Sequence, residues 1–466
     1  GTSILDAART ASIDIPTLCY LKDLNEIGAC RICVVEVKGA RSLVAACVYP
    51  VAEGMQISTS SPRVFEARRK TLELILSTHA KKCLTCVRAG SCELQKLCRE
   101  FKVDDEEYYA GENIQYEVDD SAVHMYRDNN KCILCRRCVA ACSKLQGIGV
   151  IGPNDRGFKT HIGCAFEQNL SEVACVSCGQ CIVVCPTGAI AEHDNTDEVW
   201  KALADPQKHV IVQTAPSIRV TLGEAFNMPI GTNVTGKMVT ALRRLGFSDV
   251  MEVALGADVT SQREAAEFVE RMERGDTFMT TSCCPAYVEA VRRHAPELLP
   301  HVSETATPMH YTAEIARERH PDTVTVFIGP CVAKRQEGLH DEMVDYVLTF
   351  EEVGALFNAR GIVVEECEEH ELERPSNEAR GYAIAGGVSA AVEKLVGDRF
   401  EVRPVAINGL SPQGLKKLQS FVKGGCPGNL VEVMTCVGGC VGGAGVVMPA
   451  AKGAKAVENF ATKGKV

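Results

Sequence analysis

The 466-residue sequence has no uninterrupted apolar run of about 18 residues, the length a helix needs to cross a bilayer. It has no excess of positive charge either. The formal net charge is −10 at pH 7, which argues against nucleic acid or an anionic membrane surface as the main partner. Its first ten residues, GTSILDAART, lack the basic-then-apolar pattern of a secretory signal, although they open in mid-pattern, as if a short leading segment were missing. These absences leave a cytoplasmic protein with no membrane span as the expectation. Hydrophobic residues make up 46% of the chain, enough to bury sizeable cores, and the length calls for two to four domains.

Cysteine is abundant: 24 in all, 17 of them within the first 185 residues. In a long chain with two residues between neighbouring cysteines, this is ligand spacing rather than a disulfide framework, and it implies a reducing compartment. The first group is Cys19, Cys30, Cys33 and Cys47, centred on GACRIC. It suits a two-iron cluster of plant-type character, with zinc as the plainer alternative. A helical stretch, RVFEARRKTLELILSTH, leads to His79, Cys83, Cys86 and Cys92. Three cysteines leave a four-iron cubane one ligand short, and His79 either fills that corner or is an ordinary structural histidine. Cys98 is a spare, read as a small buried residue. CILCRRCVAAC supplies Cys132, Cys135, Cys138 and Cys142, and CVSCGQCIVVCPTGAI supplies Cys175, Cys178, Cys181 and Cys185. These paired runs are the bacterial two-cubane repeat, in which the fourth cysteine of each run serves the other run's cluster. Cys164, between the runs, is not needed. Four clusters in sequence form an electron wire.

After Trp200 the pattern becomes α/β. HVIVQT, TFMTT, VTVFIG and LVEVMT read as short buried strands, and GKMVTALRRLG and SQREAAEFVERMERG as amphipathic helices. Cys283 and Cys284, Cys331, and Cys436 with Cys440 each follow a strand, and open α/β sheets bind ligands at the carboxyl ends of their strands. Cys284, Cys331, Cys436 and Cys440 can therefore surround one further cubane; the alternative is four unconnected buried cysteines. Cys283 is left over. A thiol beside a metal cofactor is suited to passing protons.

TSCCPAYV (281–288), GPCVAK (329–334) and EVMTCVGGCVGG (432–443), with the four upstream motifs in order, resemble the iron-only (FeFe) hydrogenases along essentially the whole chain. The resemblance implies an H-cluster: a cubane joined to a two-iron unit carrying carbonyl, cyanide and a bridging dithiolate amine. It implies Cys284, Cys331, Cys436 and Cys440 as its thiolates, Cys440 bridging to the two-iron unit. Cys283 matches the cysteine that hands protons to the amine, and Lys334 the lysine that bonds a cyanide. Ala215, Pro216 and Ser217 match a pocket loop, and Met434 an apolar contact. Glu264, Glu267 and Arg271 fall on one helix face; alone they would read as a solvated charged stripe. The resemblance makes them, with Ser303, a relay running Cys283, Glu264, Ser303, Glu267, Arg271, and it makes His79 a ligand. The sequence departs from the family at Gly329 (usually methionine, so that a bulky side chain beside the two-iron unit is removed), Val437 (usually proline), Tyr287 (usually tryptophan) and ATPMH (306–310).

The expected organisation is a 2Fe–2S ferredoxin-like domain at 1–62, a 4Fe–4S domain with one histidine and three cysteine ligands at 63–118 and a two-cubane ferredoxin-like domain at 119–198. These α+β modules precede an α/β H-cluster catalytic domain at 199–466. The implied activity is reversible reduction of protons to dihydrogen in anaerobic hydrogen metabolism. One 2Fe–2S and three accessory 4Fe–4S clusters would deliver the electrons, and separate maturation proteins would install the two-iron unit. Ferredoxin is the expected electron partner, with RVFEARRK and KCILCRRC as candidate basic docking patches; a larger electron-bifurcating complex with a nicotinamide-oxidising subunit is the alternative. A hydrogen sensor is disfavoured because Cys283 is present and the chain ends soon after the last motif.

Overall fold

The computed structural model describes residues 1–103 and 113–463. Parts of the expected 63–118 and 199–466 domains, residues 104–112 and 464–466, thus lie outside the described residues. Chain contacts group the structure into two units. One comprises Gly1–Leu145, Gly149–Val173 and Cys181–Ala191, the other Gln146–Ile148, Ala174–Gln180 and the chain from Glu192 onward.

The first unit is built from small elements. Val34–Val37 pairs antiparallel with both Val44–Ala45 and Ile57–Ser58. The helix Ile4–Thr10, capped by the Ser3 side chain, packs Ile4 and Leu5 with Val35 and Ala46 in a small core. The helix Pro62–Ser77 starts where it should, with Ser61 capping Val64 N–H and proline in the first turn. Its buried Arg68 donates to the Val34 carbonyl at 2.9 Å. Leu72 of this helix meets Leu94 and Leu97 of the helix Glu93–Glu100 in a second core that also holds Cys19, Cys30, Cys98 and Cys135. Two hairpins follow, Asp119–Ala122 with Met125–Arg127 and Ile151–Asn154 with His161–Cys164. Such thin cores need an additional staple, and cysteines supply much of the buried surface.

The second unit contains two parallel sheets. In the first, Val210–Thr214 lies between Asp249–Glu252 and Val324–Ile328, and Tyr346–Leu348 extends the far edge. In the second, Leu430–Met434 lies between Met279–Thr280 and Pro404–Asn408. Val210–Thr214 and Leu430–Met434 are buried at every position, as central parallel strands covered on both faces must be. The helices Thr235–Leu245, Val253–Arg274, Pro285–His294, Pro308–Arg319 and Gly387–Val396 accompany them. The expected strands are all present, though TFMTT contributes only Met279–Thr280. The helix expected from Ser261 begins at Val253, because VALGADVT continues its apolar face toward the N-terminus. Among the described residues no helix is long and apolar enough to cross a membrane.

One close approach fixes the helix that carries Glu264. Gly256, in Val253–Arg274, faces the start of Pro308–Arg319 so closely that an added Cβ would press on the Pro308 carbonyl oxygen, Thr312 Oγ1 and Thr312 N. Gly256→Ala should therefore cost about 1–3 kcal/mol through overpacking, although alanine is the better helix former. Gly354→Ala, whose nearest neighbour is Ala225 at 4.0 Å, is the control and should be neutral or stabilising; thermal unfolding of the two variants checks the pair.

Candidate active site

Three strands end at one place. Thr214 runs into Ala215, Pro216 and Ser217; Ile328 into Gly329, Pro330 and Cys331; Met434 into the glycine-rich loop with Cys436 and Cys440. A cavity of about 70 Å³ is lined by Ala215, Pro216, Ser217, Cys283, Cys331, Lys334, Met434 and Cys440, so eight residues singled out from the sequence meet in one enclosure. Cys284 stands just before the helix Pro285–His294, and its thiol reaches Thr435 Oγ1 at 3.4 Å. Gly438 and Gly439 have φ of 90° and 94°, and a Cβ on Gly439 would press on Ala383 O and Ala385 N at 2.8 Å. Only glycine lets this loop turn there.

Burial is the main force on these thiols. It pushes Cys331 up to about 11 and Cys440 to about 12, and it raises Cys436 well above the usual thiol range. The neighbouring thiols add to each shift: Cys284 acts on Cys331, Cys436 and Cys440. The Cys331, Cys436 and Cys440 thiols, mutually repelling in a dry site, stay protonated unless positive charge replaces the protons, and iron would do so. Ser217 Oγ is buried without a hydrogen-bond partner, an orphaned donor beside the cavity. The donor set fits an iron–sulfur cofactor.

Cys283 is pushed well above its usual range, first by burial and then by Glu264 and Glu432. Glu264 is fully buried and raised to about 8; its Oε1 accepts the Ser282 N–H at 3.1 Å, and Oε2 has no partner. Ser303 Oγ donates to Glu267 Oε2 at 2.6 Å, and Arg271 Nη2 lies 2.7 Å from Glu267 Oε1. Burial alone would raise Glu267, but hydrogen bonds from Ser303, Glu304 N–H and Thr305, with the Arg271 charge, leave it below the usual value. Arg271 is itself buried, bonding Pro300 O and Val302 O at 2.8 and 2.9 Å. The stripe is thus an internal polar line and not a solvated face. At Ser303 the line meets a cleft of about 730 Å³ lined also by Ser282, Glu304 and Thr305. Lys334 Nζ donates to Thr307 Oγ1 at 2.9 Å and Glu337 Oε2 at 2.7 Å. Burial would lower Lys334, yet Glu337 and the Cys331 and Cys283 thiols raise it.

Residues 208–444 match the family model of the iron-only hydrogenase large subunit, C-terminal domain. Residues 1–62 match a 2Fe–2S iron–sulfur cluster binding domain, 68–107 the NADH-ubiquinone oxidoreductase-G iron–sulfur binding region, and 131–189 a 4Fe–4S dicluster domain. The NADP-reducing hydrogenase subunit HndD of Solidesulfovibrio fructosivorans is 39% identical over 509 residues, covering 96% of this chain and 86% of that protein. Iron hydrogenase 1 of Clostridium pasteurianum is 34% identical over 95% of this chain and 86% of its own length. The chain belongs to the iron-only hydrogenases. It is a hydrogenase-type oxidoreductase in which iron–sulfur, ferredoxin-like domains precede the catalytic domain. Over 191 residues, 41% of this chain and 22% of the other, it is also 34% identical to a component of an NADH-quinone oxidoreductase from Rhizobium meliloti.

In this hydrogenase several of the accessory cysteines also gather. Cys19, Cys30, Cys33 and Cys47 are all buried. They pair by hydrogen bonding, which pulls Cys30 (from Cys19) and Cys33 (from Cys47) down. Cys132, Cys135 and Cys138 share a small cavity with Cys185, the fourth cysteine of the other run. Leu134 and Arg136 in one run, and Ser177 and Gly179 in the other, occupy matching positions and all have positive φ, 52°, 59°, 57° and 70°. Left-handed backbone at a leucine is costly, and it turns successive N–H groups inward as a thiolate-bound anion needs. By chain contact Cys175 and Cys178 belong with the second unit, Cys142 and Cys181 with the first. Cys92 feels the charges of Cys86 and Cys83, and His79 Nδ1 is buried with no partner. Cys98 and Cys164 are buried, as spares should be. Among the described residues no three His, Cys, Asp or Glu side chains close on a single-ion point.

Several neighbours of the site were given no role by the sequence. Tyr382 lines the cavity, and its hydroxyl lies 2.6 Å from Ser261 Oγ. Glu432 is buried and accepts from Gly386 N–H and Ser389 N–H. Gly329, expected to leave a space, does not: the Phe327 ring occupies the place a Cβ on Gly329 would take, and Phe327 lines the cavity. A phenylalanine two residues upstream thus supplies the bulk that the family's usual methionine would. Gly329→Met should lower the melting temperature on its own, and Phe327→Ala introduced beside it should recover part of the loss. Double-mutant analysis should give a coupling of about 1 kcal/mol or more; additive losses would mean that the two positions do not compete for one space.

Proposed function

We propose that this hydrogenase interconverts protons, electrons and dihydrogen at an H-cluster that Cys284, Cys331, Cys436 and Cys440 would hold. The observation that carries this reading is the single cavity shared by Cys283, Cys331, Lys334, Met434, Cys440 and the 215–217 loop. When bound, the cofactor supplies an open iron site for heterolytic hydrogen chemistry and an outlet for electrons. Cys283 then holds and releases the proton. Glu264, raised to about 8, is protonated at neutral pH and able to exchange with a neighbouring thiol. The Ser303 hydroxyl and Glu267, oriented by Arg271, carry the line outward. Lys334 and Ser217 are donors suited to cyanide, and Met434 and Phe327 keep the cavity apolar.

Electrons would reach the site through one plant-type 2Fe–2S cluster (Cys19, Cys30, Cys33, Cys47) and three cubanes. One cubane uses His79, Cys83, Cys86 and Cys92; the two others use the crossed runs. The unpartnered His79 Nδ1 supports its place in that set. For the electron partner two observations weigh against simple ferredoxin docking on the basic stretches. Their cations are largely consumed: Arg63 by Glu36, Lys70 by Glu66, Arg69 by Glu73, Arg137 by Glu93 and Lys131 by Asp128. The relative matched over 96% of the chain is a subunit of an NADP-reducing hydrogenase. A nicotinamide-linked partner subunit is therefore the favoured reading, with ferredoxin as the other. Maturation proteins would supply the two-iron unit.

Cys283→Ala in the matured protein should retain the carbonyl and cyanide infrared bands while dihydrogen evolution falls by about 10²–10⁴-fold, the usual worth of a positioned acid–base group. Unchanged evolution would remove the proton role. Glu264 generates a stability test. Its carboxyl ionises near 4.5 in an unfolded chain and about 8 when folded. Between those values the folded state binds more protons, so its contribution to stability falls as pH rises and levels off above about 8. Glu264→Gln should flatten that fall between pH 5 and pH 8 in thermal melts; parallel pH profiles would count against a buried, protonated Glu264.

A further inference from the structure

Gln180 lies two residues beyond Cys178, inside the second cysteine run. Its side chain is buried, and both hydrogens of Nε2 are committed: one to the Gly442 carbonyl at 3.0 Å, the other to Cys436 Sγ at 3.4 Å. The orientation of the amide is fixed by that pair. Turning Oε1 to the same place would set it against a carbonyl oxygen and a thiolate, two acceptors with no hydrogen between them. Because Gly442 follows Cys440 in the glycine-rich loop, the donor is clamped relative to the sulfur it serves.

We propose that Gln180 is a positioning residue that raises the reduction potential of the catalytic four-iron centre through an N–H···S bond to Cys436. This rests on the reading that Cys436 is a ligand of that centre. A ligand sulfur carries more negative charge when its cluster is reduced, so a donor aimed at it stabilises the reduced form more than the oxidised one. Hydrogen bonds to sulfur are one of the levers that set iron–sulfur potentials. The effect is directional for the electron wire. Gln180 shares its loop with Cys178, an accessory-cluster cysteine, and Cys178 also acts electrostatically on Cys436. An electron at the accessory cluster thus faces an acceptor made easier to reduce by the same peptide segment. A residue that only tied two loops together would alter stability and leave the potential where it was.

The test uses the full matured chain. With ¹⁵N-labelled glutamine, pulsed electron paramagnetic resonance of the paramagnetic catalytic cluster should detect a ¹⁵N coupling and an exchangeable-deuteron coupling, both lost in Gln180→Leu. Infrared-monitored redox titration should move the cluster's midpoint to more negative potential in Gln180→Leu. In Gln180→Glu, which keeps the length and replaces the donor by a carboxylate, the shift should be at least as large. An unchanged midpoint in both variants, with carbonyl and cyanide bands intact, overturns the proposal. If neither variant assembles its cofactor, the unsubstituted protein decides alone: absence of the amide coupling overturns the role of Gln180, whereas absence of any four-iron signal overturns the ligand assignment beneath it.

Discussion

The buried thiols of Cys331, Cys436 and Cys440, two of which line one small cavity, are the constraint to which the catalytic unit answers. Left with protons, they are neutral and inert; as thiolates in a dry site they repel one another, and burial pushes all three far up. Only a compact, multiply charged centre reconciles their burial with ionisation. Holding such a centre takes a scaffold that brings distant chain segments to one point without exposing them to water. Two parallel sheets whose strands end at a common cavity do this, since the carboxyl ends of parallel strands are the one place where loops from many strands meet. The glycine-rich loop then gives up side chains so that Cys440 can approach, and Gly439, wedged against Ala383 and Ala385, marks how little room remains.

The internal polar line follows from the same dryness. Glu264 and Glu267 stand less than one helical turn apart and are driven in opposite directions. Glu264 receives a single backbone donor and loses to desolvation; Glu267 receives three donors and Arg271 and overcomes it. Two carboxyl groups of one type are thereby given unlike proton affinities by their surroundings. The Cys283 end of the line is held neutral and the Glu267 end charged, with Ser303 between, a gradient that a solvated helix face could not maintain because water would level both groups. The rigid contact of Gly256 with the Pro308–Arg319 helix matters here, for a small shift of the Val253–Arg274 helix would part hydrogen bonds of 2.6–2.7 Å.

Much of this was legible in the residues because cysteine chemistry is local. C-x-x-C spacing, the side-by-side Cys283 and Cys284, and cysteines placed just after apolar runs pointed to the clusters and to the cavity. The sheet was less legible. Asp249–Glu252, Tyr346–Leu348 and Pro404–Asn408 are short, and they are strands only because a neighbour offers a parallel ladder; propensity alone does not mark them. Contacts that depend on packing were out of reach. Nothing in GPCVAK says that Phe327 would fill the place of the absent methionine, and nothing in CVSCGQC says that its glutamine would turn toward Cys436. The basic stretches show the same limit: their arginines are visible in the sequence, but nothing there marks Glu36 and Glu93, 27 and 44 residues away, as the partners of Arg63 and Arg137.

The matching backbone of the two cysteine runs bears on how the accessory part came to fit. Leu134 and Arg136 repeat, at the same offsets, the left-handed conformations of Ser177 and Gly179. Glycine accepts that conformation freely, whereas leucine and arginine are strained by it. A loop free to relax would shed such strain, so something common to both runs must hold it. Inward-turned N–H groups serving ligand sulfurs meet that need; Leu134 N–H, 3.4 Å from Cys132 Sγ, is one of them. On this argument the strain in the first run is offset by the N–H groups it turns toward sulfur.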